Sequence, residues 1–348
     1  MNDVDQFARL DPQGMLGHID GLPTQLEGAW ELGMNQPLPD APKPRMVLLA
    51  GMGGSAIGAD LAASYLAPAC PVPLVVWRSY GLPASVGPEA LVILSSHSGN
   101  TEETLSAYDA ARRSRARMLA ITTGGELARR CDGDGIPAWR FEHRGQPRAA
   151  VGFSFALILS ALHRTGLVET AGEEIRAAAK AMRAQQEDLR AEVPVQLNPA
   201  KRMAGQLLDR WPLIIGGGLL APVARRWRTQ VAEVAKAVAQ FEELPEADHN
   251  MVAGVGQPDE LITRTMAVFL RASLDSPRLA ARVDATRQVL MVEGFNTDVV
   301  EAAGATRLAQ QWTCLHYGDY VAYYLAMSYG VDPTPVAAIE DLKRRLRG

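Results

Sequence analysis

Short apolar runs that end in small or polar residues recur along the first half of the chain, and each is followed by a stretch with helical spacing. This pattern predicts strand, turn and helix in RMVLLAGMGGSAIGADLAASYL (45–66), ALVILSSHSGNTEETLSAYDAARRS (90–114) and RMLAITTGGELARRC (117–131). It predicts further strands in VPLVVWRS (72–79) and IPAWRFE (136–142), and a helix in VGFSFALILSALHRTGLV (151–168). Continuous apolar strands that alternate with helices indicate a parallel sheet covered on both faces.

The same pattern restarts after an alanine-rich, charged helical stretch at 173–192. WPLIIGGGLLAPVARRWRTQVAEVAKAV (211–238) predicts strand, glycine turn and helix, and RTMAVFLRAS (264–273) and QVLMVEG (288–294) predict two more strands. DYVAYYLAMSYG (319–330) and PVAAIEDLKRRL (335–346) predict helices. We therefore expect an α/β protein with two domains, 1–170 (with a leading helical segment) and 171–348, each a doubly wound parallel sheet flanked by helices. At 348 residues and 47% hydrophobic content, the chain can supply a core for each.

Composition excludes several classes of function. The formal net charge of -4 gives no basic excess for binding nucleic acid or an anionic membrane. The three cysteines are widely spaced and suggest neither a disulfide framework nor a metal site. The first residues are polar and acidic, and no apolar stretch reaches membrane-spanning length, so we expect a cytoplasmic protein without a secretory signal.

Three hydroxyl side chains, those of Ser96, Ser98 and Thr101, lie where the strand of 90–114 ends and its helix begins. Ligands of doubly wound sheets bind beyond the carboxyl ends of the strands, where helix N-termini offer backbone amides and a partial positive charge. The turn therefore predicts a site for a phosphate. The alternative is that these hydroxyls only cap the helix, since serine and threonine are common N-caps.

The glycine turn GMGGSAIG (51–58) fits a relaxed dinucleotide-binding pattern, which is weak evidence by itself. That pattern expects an acidic residue after the next strand, but the strand ends in Arg78 and Ser79. An arginine suits a phosphorylated cofactor, so an NADP-dependent oxidoreductase remains an alternative. The chain has no Gly-Lys-Ser/Thr sequence and therefore no P-loop.

Together, SSHSGNTEET and GMGGSAIG resemble the sugar isomerase (SIS) domain family. With QPRAAVGFSF, RWRTQVAEVAK, LPEADHN and the C-terminal GDYVAYYLAMSYGVDPTPVAAIEDLKRRL, nearly the whole chain resembles the bifunctional phosphoglucose/phosphomannose isomerases. The resemblance implies two SIS domains and a homodimer whose active sites are shared between subunits. It implies interconversion of glucose 6-phosphate or mannose 6-phosphate with fructose 6-phosphate, without a metal or an organic cofactor.

The same resemblance assigns roles to residues at matching positions. Those implied to bind the substrate phosphate are Gly54, Ser55, Ser96, Ser98 and Thr101. Those implied to act on the sugar are Glu233 as the base, His249 in ring opening (a residue that the partner subunit could contribute), Arg148 beside the reacting carbons, and the C-terminal Lys343. The sequence departs from the family pattern at Val234, Asp248 and Met251, which puts substrate preference in question more than the class of reaction.

The chemistry of aldose–ketose isomerisation fits these residue types. A proton moves between C1 and C2 through an enediol, and one carboxylate can carry it. Histidine titrates in the range needed to open a sugar ring, and a cation stabilises the enediolate oxygens. The alternatives stay open: Glu233 can be a solvated helix residue paired with Lys236, His249 an ordinary loop residue, and the whole chain a non-catalytic SIS protein that binds sugar phosphates.

Overall fold

The computed structural model describes residues 1–38, 41–169 and 171–347, which form two compact units. The first unit comprises Gly21–Arg183 and Ala303–Thr313, and the second comprises Met1–Asp20, Ala184–Ala302 and Cys314–Gly348. The predicted domain boundary falls at residue 170, which lies outside the described residues, and it stays a prediction. The chain begins in the second unit with two short helices, α1 (Val4–Leu10) and α2 (Met15–Asp20).

The first unit is built on a five-stranded parallel sheet with strand order β2-β1-β3-β4-β5. Its strands are β1 (Met46–Gly51), β2 (Leu74–Trp77), β3 (Ala90–Ser95), β4 (Arg117–Thr122) and β5 (Ala138–Arg140). Its helices are α3 (Leu22–Asn35), α4 (Gly53–Leu66), α5 (Glu102–Arg113), α6 (Gly125–Asp134) and α7 (Val151–Arg164), and α8 (Ala171–Gln186) leads out of it. All six residues of β3 are buried, as its uninterrupted apolar sequence predicts for a central strand.

The second unit has a four-stranded parallel sheet with strand order β7-β6-β8-β9. Its strands are β6 (Trp211–Gly217), β7 (Gln240–Leu244), β8 (Thr265–Arg271) and β9 (Asn296–Glu301). Its helices are α9 (Pro199–Leu207), α10 (Ala221–Glu233), α11 (Asp259–Ile262), α12 (Pro277–Val292), α13 (Arg307–Tyr329, which begins in the first unit) and α14 (Ala337–Arg347). The first four strands of the other sheet follow the same order, so the predicted α/β class with two parallel, helix-flanked sheets is confirmed.

One predicted element is wrong and two strands escaped prediction. QVLMVEG forms the last turn of α12 rather than a strand, and of its apolar run only Leu290 is buried, whereas Val292 is 78% exposed. The helix start was visible in the sequence as Ser276 followed by Pro277, an N-cap and a favoured first residue. The missed strands β7 and β9 lie at the two edges of their sheet, where QFEEL and NTDVVE are only partly buried and carry polar residues.

Apolar side chains from strands and helices form the core of each unit. In the first unit, Val92 and Leu94 pack with Tyr108 of α5 and Leu127 of α6. In the second, Ile215 and Phe269 pack with Leu290 of α12. Every helix in the described parts of the chain is too short or too polar to cross a lipid bilayer.

Candidate active site

The predicted phosphate site lies where the direction of strand order reverses in the first sheet. β1 and β3 are neighbours, and Gly51 at the end of β1 is paired with Ser95 at the end of β3. The helices that follow these strands, α4 and α5, lead to strands on opposite sides of the pair. The two glycine- and serine-rich turns therefore meet at a topological switch point, the usual position of a ligand in this architecture.

Hydrogen bonds hold the hydroxyl groups of this turn in place. The Ser96 and Thr101 hydroxyls are 2.9 Å apart, and Ser96 Oγ also accepts from the backbone N–H of Gly99 at 3.1 Å. Ser55 Oγ, in the first turn of α4, accepts from the backbone N–H of His97 at 3.3 Å and so links the two turns. Ser55 and Ser96 are buried, whereas Ser98 is exposed and accepts from the backbone N–H of Asn100 at 3.2 Å.

The capping alternative does not account for this arrangement. Thr101 occupies the N-cap position of α5, yet its side chain makes no capping hydrogen bond to that helix, and neither does the side chain of Met52, the N-cap of α4. Thr101 turns its hydroxyl towards Ser96 instead. Two helix N-termini without side-chain caps are thus brought to one edge of the sheet, and backbone amides in that position favour an anion.

The shape of the turn depends on Gly99, whose φ of 66° is a left-handed conformation. A Cβ at this position would overlap the carbonyl oxygen of Gly124 in the turn after β4. The backbone N–H of Leu127 donates to the Gly99 carbonyl at 2.9 Å, and that of Thr123 donates to the His97 carbonyl at 3.0 Å. The turn after β4 therefore braces the turn Ser96–Thr101, called the phosphate turn below after its predicted ligand, along much of its length.

Arg148 is buried, and its backbone lies against the start of α4. It belongs to a 3-10 helix, Pro147–Ala150, and a Cβ on Gly54 would come within 2.6 Å of the Pro147 carbonyl oxygen. Gln25 of α3 fixes the other side, donating to the Ala149 carbonyl at 2.9 Å and accepting from the Gly152 N–H at 2.8 Å. The fold thus places a buried guanidinium group on a backbone segment packed against the glycine turn.

Glu233 is the last residue of α10 in the second unit and is partly buried. A buried ion pair joins this helix to α13, because Arg226 donates to both carboxylate oxygens of Asp319 at 3.0 and 2.6 Å. Trp227 Nε1 donates to the Cys314 carbonyl at 3.0 Å. Beyond the helix, Lys236 Nζ donates to the Glu233 backbone carbonyl at 2.5 Å, so this contact uses the main chain rather than the carboxylate.

His249 ends a 3-10 turn, Glu246–His249, that follows β7, and its side chain is exposed. Because α10 starts beyond the carboxyl end of β6 and returns towards the start of β7, Glu233 lies at the amino edge of the sheet and His249 at its carboxyl edge. Thirteen helical residues span about 20 Å. The unit therefore does not bring these two side chains together. The third predicted site residue of this unit, Lys343, lies on α14, and its side chain is exposed.

Two residues near the phosphate turn were not predicted to matter. His143 Nδ1 lies 3.0 Å from Nε2 of His97, and the two rings meet edge to face with centroids 5.2 Å apart. Burial lowers the pKa of His97. The other is Gln25, whose contact with the Arg148 segment spans more than 120 positions in sequence. No local pattern signals either contact, since both arise only when distant elements pack.

Within residues 1–38, 41–169 and 171–347, no group of three or more histidine, cysteine, aspartate or glutamate side chains is placed to hold a metal ion. Arg78, which follows β2, contacts α4 rather than an open crevice: its Nη2 donates to the Ala56 carbonyl at 3.2 Å and pairs with Asp60. From the sequence, Arg78 was a candidate to bind the extra phosphate of NADP. Its contacts with α4 remove the main support for that interpretation.

Comparison with known proteins identifies relatives over almost the whole chain. A bifunctional phosphoglucose/phosphomannose isomerase from Caldicellulosiruptor bescii is 38% identical over 336 residues, covering 95% of this chain and 98% of the relative. One of the same name from Aquifex aeolicus is 31% identical, covering 86% and 90%. Residues 196–346 match the family model described as bacterial phospho-glucose isomerase C-terminal SIS domain.

Solved structures agree on the fold. A hypothetical protein from Thermus thermophilus aligns with a TM-score of 0.76 at 16% identity, covering 99% of this chain and 93% of that one. At this identity the likeness concerns the fold alone. The alignment includes both sheets.

Proposed function

We propose that this chain, which belongs to the bifunctional phosphoglucose/phosphomannose isomerase family, interconverts fructose 6-phosphate with glucose 6-phosphate and mannose 6-phosphate. The observation that carries the proposal is the pair of hydroxyl-lined turns and uncapped helix N-termini at the switch point of the first sheet, in a chain whose relatives are named for this reaction. The non-catalytic alternative is not favoured, because the relatives that match most of this chain are named as isomerases.

The phosphate of the substrate binds at the turns after β1 and β3. The N-termini of α4 and α5 supply backbone amides, and Ser55, Ser96, Ser98 and Thr101 add hydroxyl groups. Because Ser96 and Thr101 are already hydrogen-bonded to each other, they are oriented before the substrate arrives. Such preorganisation lowers the cost of binding a dianion.

The sugar end of the substrate undergoes ring opening and then isomerisation. His249 opens the ring by moving a proton between the C1 hydroxyl of an aldose phosphate and its ring oxygen. Glu233 then removes the proton on C2 and returns it to C1, with the electron pair held in the enediolate. The proton of the C2 hydroxyl passes to O1 in the same conversion, so that C1 becomes an alcohol and C2 a ketone. Arg148 stabilises the negative charge that develops on the enediolate oxygens, and Lys343 supplies a second positive charge.

We further propose a homodimer in which His249 acts in the site of the partner subunit. The supporting observation is that Glu233 and His249 lie at opposite edges of their own sheet, so one copy of this unit cannot supply both to one substrate. A second observation is the apolar stripe on α14, formed by Ile339, Leu342 and Leu346, which are 40%, 55% and 74% exposed. Exposed apolar stripes of this kind are typical of surfaces that a partner covers.

A cytoplasmic location is part of the same proposal. The cysteines Cys70, Cys131 and Cys314 are all unpaired in the structure, which suits a reducing compartment. Phosphorylated hexoses are also intracellular metabolites, so the substrate and the enzyme would occupy the same compartment.

The activity is tested by incubating the protein with fructose 6-phosphate in EDTA and measuring glucose 6-phosphate and mannose 6-phosphate in separate coupled assays. Glu233→Gln should lower turnover by a factor of about 10² to 10⁴, the usual contribution of a positioned acid–base group. Glu243→Gln, at an exposed position of β7, is the matched control and should be as active as the wild type. Full activity in Glu233→Gln would show that another residue is the base.

Ser98→Ala tests the phosphate turn separately from the base. A hydrogen bond to a charged group contributes about 1.5–3 kcal/mol, so KM should rise roughly tenfold or more with little change in kcat. Ser114→Ala, at the opposite end of α5, removes a hydroxyl that donates to the Ala111 carbonyl and should leave KM unchanged. An unaltered KM in Ser98→Ala would place the phosphate elsewhere.

The dimer is tested by mixing. Glu233→Gln and His249→Ala should each be inactive alone, whichever subunit supplies the residues. Suppose that each active site takes Glu233 from one subunit and His249 from the other. Mixed dimers then regain one site with both residues intact, and activity returns. No recovery after subunit exchange, verified by the mass of tagged heterodimers, would assign both residues to one subunit.

A further inference from the structure

The residue before His249 is tied to a neighbouring helix. Asp248 Oδ2 accepts from Arg282 Nη1 at 2.5 Å, and its Oδ1 accepts from the Thr286 hydroxyl at 2.6 Å. Arg282 and Thr286 are one turn apart on α12, and together they engage both oxygens of the carboxylate. The Asp248 side chain is 17% exposed, and Thr286 is buried.

The neighbouring Asn250 makes hydrogen bonds to residues that are close to it in sequence. Asn250 donates to Glu246 at 2.8 Å and accepts from the Met251 N–H at 2.7 Å, so its bonds stay within the loop. Ala247 is buried in the core of the unit. Asp248 thus lies between a buried anchor and the exposed His249, and its side chain connects the turn to α12.

We propose that Asp248 is a positioning residue for His249: by binding Arg282 and Thr286 it fixes the backbone from which the imidazole projects. This inference rests on the proposed function, in which His249 opens the sugar ring. Both carboxylate oxygens are engaged by α12, so Asp248 acts through the backbone rather than through a bond to the imidazole. Adjacent Cα atoms are about 3.8 Å apart, so a shift of Asp248 moves His249 almost equally.

Ring opening and isomerisation are separate chemical steps, and their rates can be measured separately. The α and β anomers of glucose 6-phosphate exchange when the ring opens and closes, without breaking any C–H bond. Isomerisation needs ring opening and also the proton transfer by Glu233. A defect in placing His249 should therefore slow both processes, whereas a defect in the base should slow isomerisation alone.

The experiment measures anomer exchange by NMR exchange spectroscopy at the C1 proton, beside the coupled isomerase assay. In Asp248→Ala, anomer exchange and kcat should both fall about tenfold or more, as a misplaced catalytic group predicts, with KM within twofold of the wild type. The double variant Arg282→Met/Thr286→Val leaves Asp248 in place and should reproduce the loss. Glu233→Gln should keep catalysed anomer exchange and lose isomerisation.

Asp284→Ala is the matched control, since Asp284 lies on α12 between Arg282 and Thr286 but pairs with Arg271 instead. It should keep both rates. Wild-type anomer exchange in Asp248→Ala, or a loss of isomerisation with anomer exchange intact, would overturn the positioning role while leaving the proposed function standing. A wild-type protein that catalyses neither process would overturn the proposed function itself and this inference with it.

Discussion

The buried ion pair between Arg226 and Asp319 offers a quantitative test of what holds α10 in place. Their side chains are 2% and 3% exposed, and the guanidinium group meets the carboxylate through two hydrogen bonds. Asp319→Asn keeps the size and shape of the side chain but removes its charge. Arg226, which remains charged at any accessible pH, then loses the carboxylate that binds it through two hydrogen bonds.

Breaking a buried pair in this way costs about 3–5 kcal/mol. For a folding unit of this size, each kcal/mol lowers Tm by roughly 2–4 °C, so the variant should melt on the order of 10 °C below the wild type. Asp109→Asn breaks an exposed pair with Arg130, in which the aspartate is 49% exposed. That change should cost no more than about 1 kcal/mol.

A third variant separates the buried charge from lost packing. Arg226→Met/Asp319→Leu replaces the pair with apolar side chains of similar volume, a change that is often neutral or stabilising. Calorimetry on the three variants at one pH and salt concentration should therefore give a large loss, a small loss and a near-complete recovery. If Asp319→Asn melts within a degree or two of Asp109→Asn, the pair contributes little and this reasoning is wrong.

Three further predictions concern the turns and the buried titratable groups. Gly54→Ala should lower kcat at least tenfold by displacing the Arg148 segment, whereas Gly133→Ala, whose new Cβ would meet no described atom within 4 Å, should be as active as the wild type. Burial lowers the pKa of His316, so its contribution to stability is complete above about pH 6.5 and is lost as the pH falls further; His316→Gln should flatten the fall in Tm between pH 7 and 5. Burial raises the pKa of Cys131 to about 11 and that of Cys314 as well, so a thiol reagent at pH 8 should modify Cys70 alone until the protein is denatured.

Local patterns in the sequence were sufficient for most of the fold. The central strands β1, β3, β6 and β8 are continuous apolar runs, because each is covered on both faces, and all four were predicted. The edge strands β7 and β9 escaped prediction for the converse reason, since a half-exposed strand tolerates residues such as Glu242 and Asp298. The apolar end of α12 was mistaken for a strand because a short apolar run does not itself specify its period.

In the candidate site, too, contiguous features could be predicted from the sequence and long-range contacts could not. The phosphate turn could be found from the sequence because its residues are contiguous and lie at a strand end. Contacts such as that of Asp248 with Arg282, 34 positions away, carry no such signal. They depend on how α12 packs beside β7, and an aspartate next to a histidine looks the same in the sequence whether or not a helix binds it.

The first unit is completed by a chain segment that is synthesised late, and this affects how the unit folds during translation. Residues 21–183 supply its sheet, but Ala303–Thr313 complete its core: Trp312 packs edge to face on Phe155, and Gln311 donates to the Leu61 carbonyl at 3.1 Å. A ribosome adds about 5–20 residues per second, so these residues emerge roughly 6–24 seconds after Arg183. Until then the nascent unit exposes the surface of α7 that Trp312 will cover, and a chain truncated before residue 303 would never cover it.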